Sequence, residues 1–168
     1  MASKVYKINP ITAWHQLRSS VATSDSALTT FDFASWPTSG VFDISKRLGQ
    51  VSNLRVAFFG TDAANEAGTF ILYGRQVNGP LQKLIAGAIT LGTRVITKHP
   101  LTGVAGTAYW ADTITGATGL LTASDVLLDA AGADTMGIIE IPRGPIKELY
   151  CETALSTAAT IESIITGY

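Results

Sequence analysis

The chain has 168 residues and a net charge of −1, with charged residues at 15% of the total and a mean hydropathy of +0.27. That length suits one domain able to bury roughly 70% of its unfolded surface, and the near-neutral balance argues against general nucleic-acid binding. The apolar runs fall far short of the about 20 residues a bilayer helix needs, no apolar stretch behind Lys4 and Lys7 makes a signal peptide, and the single Cys151 excludes an intrachain disulfide and reads as a small core residue.

Residues 1–26 are polar and aperiodic, and Pro10 disfavours helix around it. They read as an extended N-terminal arm. Trp14 and Leu17 suggest a short helical turn around His15. Lys4, Lys7, Trp14 and Arg18 are the arm's candidate contact residues, with Trp14 as its anchor.

From residue 27 to 168 the chain reads as a single β-domain. Strands are expected at 27–33 and 41–44, separated by a turn at 35–40 that presents Trp36 beside Pro37. At 53–60, Leu54, Val56 and Phe58 share one face and Arg55, Ala57 and Phe59 the other. A loop at 62–68 leads to a strand at 69–77, and Asn78-Gly79-Pro80 signals a turn. The long run 82–98 holds Gly87 and Gly92, which suggests a bulge or a strand that bends between sheets. A loop at 99–103 precedes a strand at 107–114. Residues 115–135 read as loop, with a short helix at 124–131 capped by Ser124. Strands follow at 136–141, 146–152 and 160–166, with a tight reversal at Arg143-Gly144-Pro145. The sum is an all-β fold: an antiparallel β-sandwich, jelly-roll-like, with the arm at its start.

Chemistry is sparse. A charge-poor chain of this kind is expected to shelter its surface in an oligomer or a larger assembly. His15 and His99 are the only histidines, no nucleophile elbow accompanies them, and no catalytic, metal or cofactor residues are assigned. Asp125, Asp129 and Asp134 lack calcium-loop spacing and suit helix-start and turn roles. Glu140, Glu148, Glu152 and Glu162 fall on the last three strands, where Glu148 and Glu152 share a face. Convergence of these carboxylates, or a cleft joining His99 to one of them, is what an enzyme would require. Trp36, Tyr73, Tyr109, Trp110 and Tyr168 would form a sugar platform only if exposed and coplanar. Charge is uneven: residues 1–98 hold ten Lys/Arg and five Asp/Glu, residues 99–168 two and eight. Either the fold mixes the halves, or opposite faces meet head to tail between subunits.

Several stretches give the chain a resemblance. They are Phe31-Asp32-Phe33 with Gly40-Val41-Phe42-Asp43-Ile44, Thr69-Phe70-Ile71-Leu72-Tyr73-Gly74-Arg75, Asp129-Ala130-Ala131-Gly132-Ala133-Asp134-Thr135, and Thr160-Ile161-Glu162-Ser163-Ile164-Ile165 ending at Gly167-Tyr168. In these the chain resembles the small β-sandwich structural proteins of tailed bacteriophages, especially head decoration or cement proteins. The resemblance implies a non-enzymatic virion protein on the outer capsid surface. It would bind the major capsid protein between neighbouring capsomers, often as a homo-trimer, without cofactor, membrane or specific nucleic acid. A phage tail or head-completion component is the nearest alternative, and a carbohydrate-binding or adhesin module the next. On this reading the arm is a strap, and a chain lacking residues 1–20 should keep its fold but bind less well.

Overall fold

The computed structural model describes residues 13–22, 40–61, 67–79, 81–115, 127–129, 138–155 and 160–168. Ten strands and one short helix lie within them. In chain order they are β1 (His15–Ala22), β2 (Phe42–Asp43), α1 (Ile44–Leu48), β3 (Asn53–Gly60), β4 (Ala67–Gln76), β5 (Leu81–Lys98), β6 (Ala105–Thr115), β7 (Leu127–Asp129), β8 (Ile138–Pro142), β9 (Ile146–Leu155) and β10 (Thr160–Gly167).

All the pairings are antiparallel, in the order β1-β10-β3-β6-β5-β4-β9-β2. Strand β3 is a fork. One edge pairs with β10; along the other, Asn53–Ala57 meets β8, which pairs in turn with β7, and Phe59–Gly60 meets β6. The sheet curls until its ends approach. His15 on β1 lies 6.2 Å from the Phe42 ring on β2. The Arg18 guanidinium sits 5.2 Å from the Tyr150 ring centroid, and its Nη1 donates to the Tyr150 hydroxyl at 3.2 Å. Side chains thus close a seam between the ends of the hydrogen-bonded sheet, and the fold is all-β, antiparallel and nearly closed on itself.

The alternation read in 53–60 decides where the core sits. Leu54, Val56 and Phe58 are fully buried and face the interior with Phe70 and Leu72 of β4, Leu84 and Ile89 of β5, and Ile161 and Ile165 of β10. The Phe58 and Phe70 rings are 5.1 Å apart across this interior, so the two curved halves of the sheet pack face to face as in a sandwich. Cys151 is buried in the same core with a free thiol. On the opposite face of β3, Ala57 and Phe59 are buried too, in a second apolar cluster.

Four local outcomes differ from, or sharpen, the sequence reading. The stretch around His15 is strand and not a helical turn. His15, Gln16, Arg18, Val21 and Ala22 pair with β10, and Leu17, inside a register shift, is buried in the core. The strand expected at 41–44 stops at Asp43, because Asp43 caps a helix: its Oδ1 accepts from Lys46 N at 2.9 Å. Ile44 and Leu48, one turn apart, then bury the inner side of α1. Within the helix expected at 124–131, Leu127–Asp129 is instead a strand on β8; pairing of Leu128 with Ile139 outweighs the weak local helix signal. In β5 the predicted irregularity is real: the register against β6 shifts between Leu91 and Val95, spanning Gly92. The strand expected at 27–33 and the turn at 35–39 lie outside the described residues.

The expected turns close as read. Gly79 N donates to Gln76 O at 3.1 Å with Asn78 at φ 56°. Ile146 N donates to Arg143 O at 3.1 Å around Gly144 at φ 49°. Arg143 also ties this turn to the α1 end, its Nη1 donating to Gly49 O at 3.2 Å and its Nη2 to Ser45 Oγ at 2.8 Å.

Candidate interaction site

The bulge in β5 lets the far end of the β5–β6 hairpin pack over the outer face of β3 and β10. There Ile96 joins Ala57, Phe59 and Ile164, with Trp14, Leu101, Ala108, Trp110 and Ile138 packed against them. Phe59 meets the Trp110 ring edge-on at 5.4 Å and the His99 ring edge-on at 5.4 Å. The hairpin does not seal this face. Between its tip and the sheet lies a cavity of about 360 Å³ lined by Phe59, Ile96, Val104 and Ala108, by Thr61, Thr102 and Thr107, and by His99 and Glu162. Val104 at its rim is 65% exposed.

Backbone geometry fixes the polar part of this groove. His99 N donates to Val104 O at 2.8 Å and Gly103 N to His99 O at 2.9 Å, with Gly103 at φ 69°, a left-handed conformation suited to glycine. The tight loop brings Leu101 N and Thr102 N onto His99 Nδ1, each at 3.2 Å. A nitrogen that accepts from two amides holds no proton, so the proton sits on Nε2. Nε2 faces Glu162 Oε2 at 3.1 Å. The same Oε2 accepts from Gln16 Nε2 at 3.1 Å, which also reaches Ser163 O at 3.3 Å. Glu162 Oε2 is therefore met by a ring N–H and an amide N–H.

The structure does join His99 to one of the late glutamates in a cavity, the arrangement an enzyme would require. Its chemistry is restrained. A general base needs a free ring nitrogen within reach of a nucleophile, and both nitrogens of His99 are engaged. Of the nearby hydroxyls, Thr61 Oγ1 pairs with Thr160 Oγ1 at 2.7 Å and Thr102 Oγ1 accepts from Val104 N at 3.4 Å.

The four glutamates do not converge; each has its own partner. Glu140 pairs with Arg55 at 2.8 Å, Glu148 with Arg75 at 2.7 Å, and Glu152 accepts from the Tyr73 hydroxyl at 3.1 Å. Burial pushes the Glu140 carboxyl up, but hydrogen bonds from the Tyr168 hydroxyl and Arg55 outweigh it and hold the group below its ordinary range. The same contact with Glu140 pushes the Tyr168 hydroxyl up. Arg55 also lies 4.6 Å from the Tyr168 ring centroid. Arg55–Glu140 and Arg75–Glu148 join the basic first part of the chain to the acidic remainder, so at these points the fold mixes the two signs. No group of three or more His, Cys, Asp or Glu fit to hold a metal occurs among the described residues.

Of the residues singled out in the sequence, Trp14 packs half-buried in the outer cluster beside the groove, and Arg18 is held at the seam by Tyr150. Lys4, Lys7 and Trp36 lie outside the described residues, as do Asp125 and Asp134. The aromatics seen are not a flat platform: Tyr73 is buried against Tyr150, and Trp110 is packed edge-on against Phe59. Sequence reasoning missed the role of Gln16, and a signal for the groove was present in Glu162 and Ile164, which share the outer face of β10 with Phe59 of β3 across the register.

No protein-family model matches the chain, and no curated protein matches it. Among solved structures, it is similar to the crystal structure of the SPBc2 prophage-derived protein YomS, with a TM-score of 0.41 and 11% identity, covering 95% of this chain and 97% of that one. So loose a likeness bears on neither the site nor the function.

Proposed function

We propose that this chain is a non-enzymatic structural protein of a phage particle, acting in several copies to decorate or cement the capsid. It would bind the major capsid protein between neighbouring capsomers on the outer surface, as a homo-oligomer with the trimer favoured. The observation that supports this reading best is the open groove at the β5–β6 hairpin tip: a largely apolar surface, held on a rigid sheet, in a chain with few charges. Such a surface gains from being covered by another protein. The resemblance to head decoration proteins supplies the identity of the particle, and many equal copies would multiply modest contacts into a firm shell.

The test is light scattering of the purified protein together with its co-sedimentation on expanded phage shells. An oligomer retained by shells and not by free capsid subunits is the expected result. A lone subunit indifferent to shells overturns it. Labelled-antibody electron microscopy separates the head from a tail or head-completion position. The strap needs a gentler truncation than removal of residues 1–20, because residues 15–20 belong to β1 and Leu17 to the core. Removing residues 1–12 leaves β1 whole, and unchanged shell binding by that protein would end the arm's role.

A second reading is catalytic, and the His99–Glu162 pair in a cavity is the observation that favours it. It requires turnover of a small molecule that His99→Ala abolishes.

A further inference from the structure

The outer-face carboxylates differ in one respect that points to a ligand. Glu140 and Glu148 each face an arginine, whereas Glu162 faces an imidazole N–H and an amide N–H. Among the described residues, no arginine or lysine is hydrogen-bonded to this carboxylate. Both donors converge on Oε2, and Oε1 has no hydrogen-bond partner among the described residues. A carboxylate flanked by the apolar side chains of Phe59, Ile96 and Ala108 is partly stripped of water and favours a cation of opposite charge.

We propose that this groove receives a lysine side chain from a neighbouring protein subunit, its methylene stem lying along Phe59 and Ile96 and its ammonium group donating to Glu162 Oε1. A cavity of about 360 Å³ is at the small end for a ligand pocket, roughly 300–1,000 Å³, and suits a single inserted side chain. Lysine is preferred over arginine on geometry. The guanidinium fork is strongest when it engages both carboxylate oxygens, and Oε2 already accepts twice; a compact ammonium needs only the free oxygen. The apolar walls suit an aliphatic stem whose charged head seeks the polar end of the groove. This inference rests on the reading of the chain as a subunit of an assembly and names the chemistry of one contact in it.

The test uses the full chain alone, without any particle. Nα-acetyl-lysine-N-methylamide is titrated into the protein while NMR follows the Leu101 and Thr102 amides, which report on His99, and the Glu162 side-chain carboxyl carbon. Saturable shifts are expected, weakened by salt. The norleucine analogue, which has a similar stem and no charge, should bind roughly tenfold or more weakly, the loss of one charge-assisted hydrogen bond. Glu162→Gln should abolish the preference for lysine over norleucine while leaving the melting profile cooperative. Absence of saturable shifts, or an equal response to norleucine, overturns the proposal without recourse to any variant. A stronger response to the arginine analogue overturns the choice of lysine. Shell capture is measured separately: lysine binding without capture ends the capsid reading and leaves the groove assignment standing.

Discussion

At the scale of single residues, the charged groups of the outer face are held by partners of graded strength. Tyr168 is fixed by its backbone, accepting from Ser52 N at 2.8 Å and Asn53 N at 3.0 Å and donating from its own N to Asn53 O at 3.2 Å. Its hydroxyl is therefore delivered to Glu140 with little entropy left to lose, while Arg55 bonds the same carboxylate from β3. Because the Glu140 carboxyl lies below its ordinary value of 4.5 in the folded chain, the unfolded chain binds the proton more readily, and the group favours folding wherever it is ionised. That contribution is complete above the unfolded carboxyl's range and is lost as pH falls through the lower folded value. Glu140→Gln should reduce stability at neutral pH, with the gap to the parent closing in acid and narrowing in salt, since the pair is partly exposed. Denaturant melts across the acid range check this, and a gap that stays constant with pH would remove the carboxylate from the account.

At the scale of elements, close strand approach depends on small residues. Gly60 ends β3 where it pairs with Ile161, and a Cβ there would lie 2.6 Å from Thr160 O and 2.7 Å from Leu91 Cδ1. The leucine tip can turn aside; the backbone oxygen cannot. Gly60→Ala is therefore expected to lower stability by about 1–3 kcal/mol, the usual range for overpacking, read as a fall in the urea midpoint with an unchanged slope. The elements that could be read in advance share one property. The strand at 53–60, the turn at Asn78-Gly79 and the reversal at Arg143-Gly144-Pro145 each announce themselves in local chemistry, by alternation or by a residue suited to positive φ. Those that could not be read are settled by distant neighbours. His15–Ala22 is polar and irregular yet becomes a strand because β10 offers it an edge, and Leu127–Asp129 follows β8 in the same way. The groove belongs to this second kind. His99 and Glu162 are 63 residues apart, and their meeting needs the bulge near Gly92, the loop at Gly103 and the face parity of β10 together.

At the scale of the molecule, the order of the sheet interleaves the two ends of the chain. Strand β1 pairs with β10, β10 pairs with β3, and side chains at the seam from Arg18 to Tyr150 link β1 to β9. The ion pairs repeat the pattern, since Arg55 and Arg75 from the basic part meet Glu140 and Glu148 from the acidic part. No stretch among the described residues closes a core with itself alone: the main cluster draws on Leu17 near one end and Ile165 near the other. Loss of either end must then open the same interior, so unfolding is expected to be one cooperative transition. Tryptophan fluorescence, which senses Trp14 and Trp110 in the outer cluster, should change together with far-UV circular dichroism as urea rises. Folding should be slow, on the order of milliseconds to seconds, because pairings such as His15 with Ile165 close very long loops before any contact rewards them. Two separated transitions would show instead that the hairpin-covered face melts apart from the core. The groove would then be a softer surface than the rigid one on which a neighbouring subunit is proposed to dock.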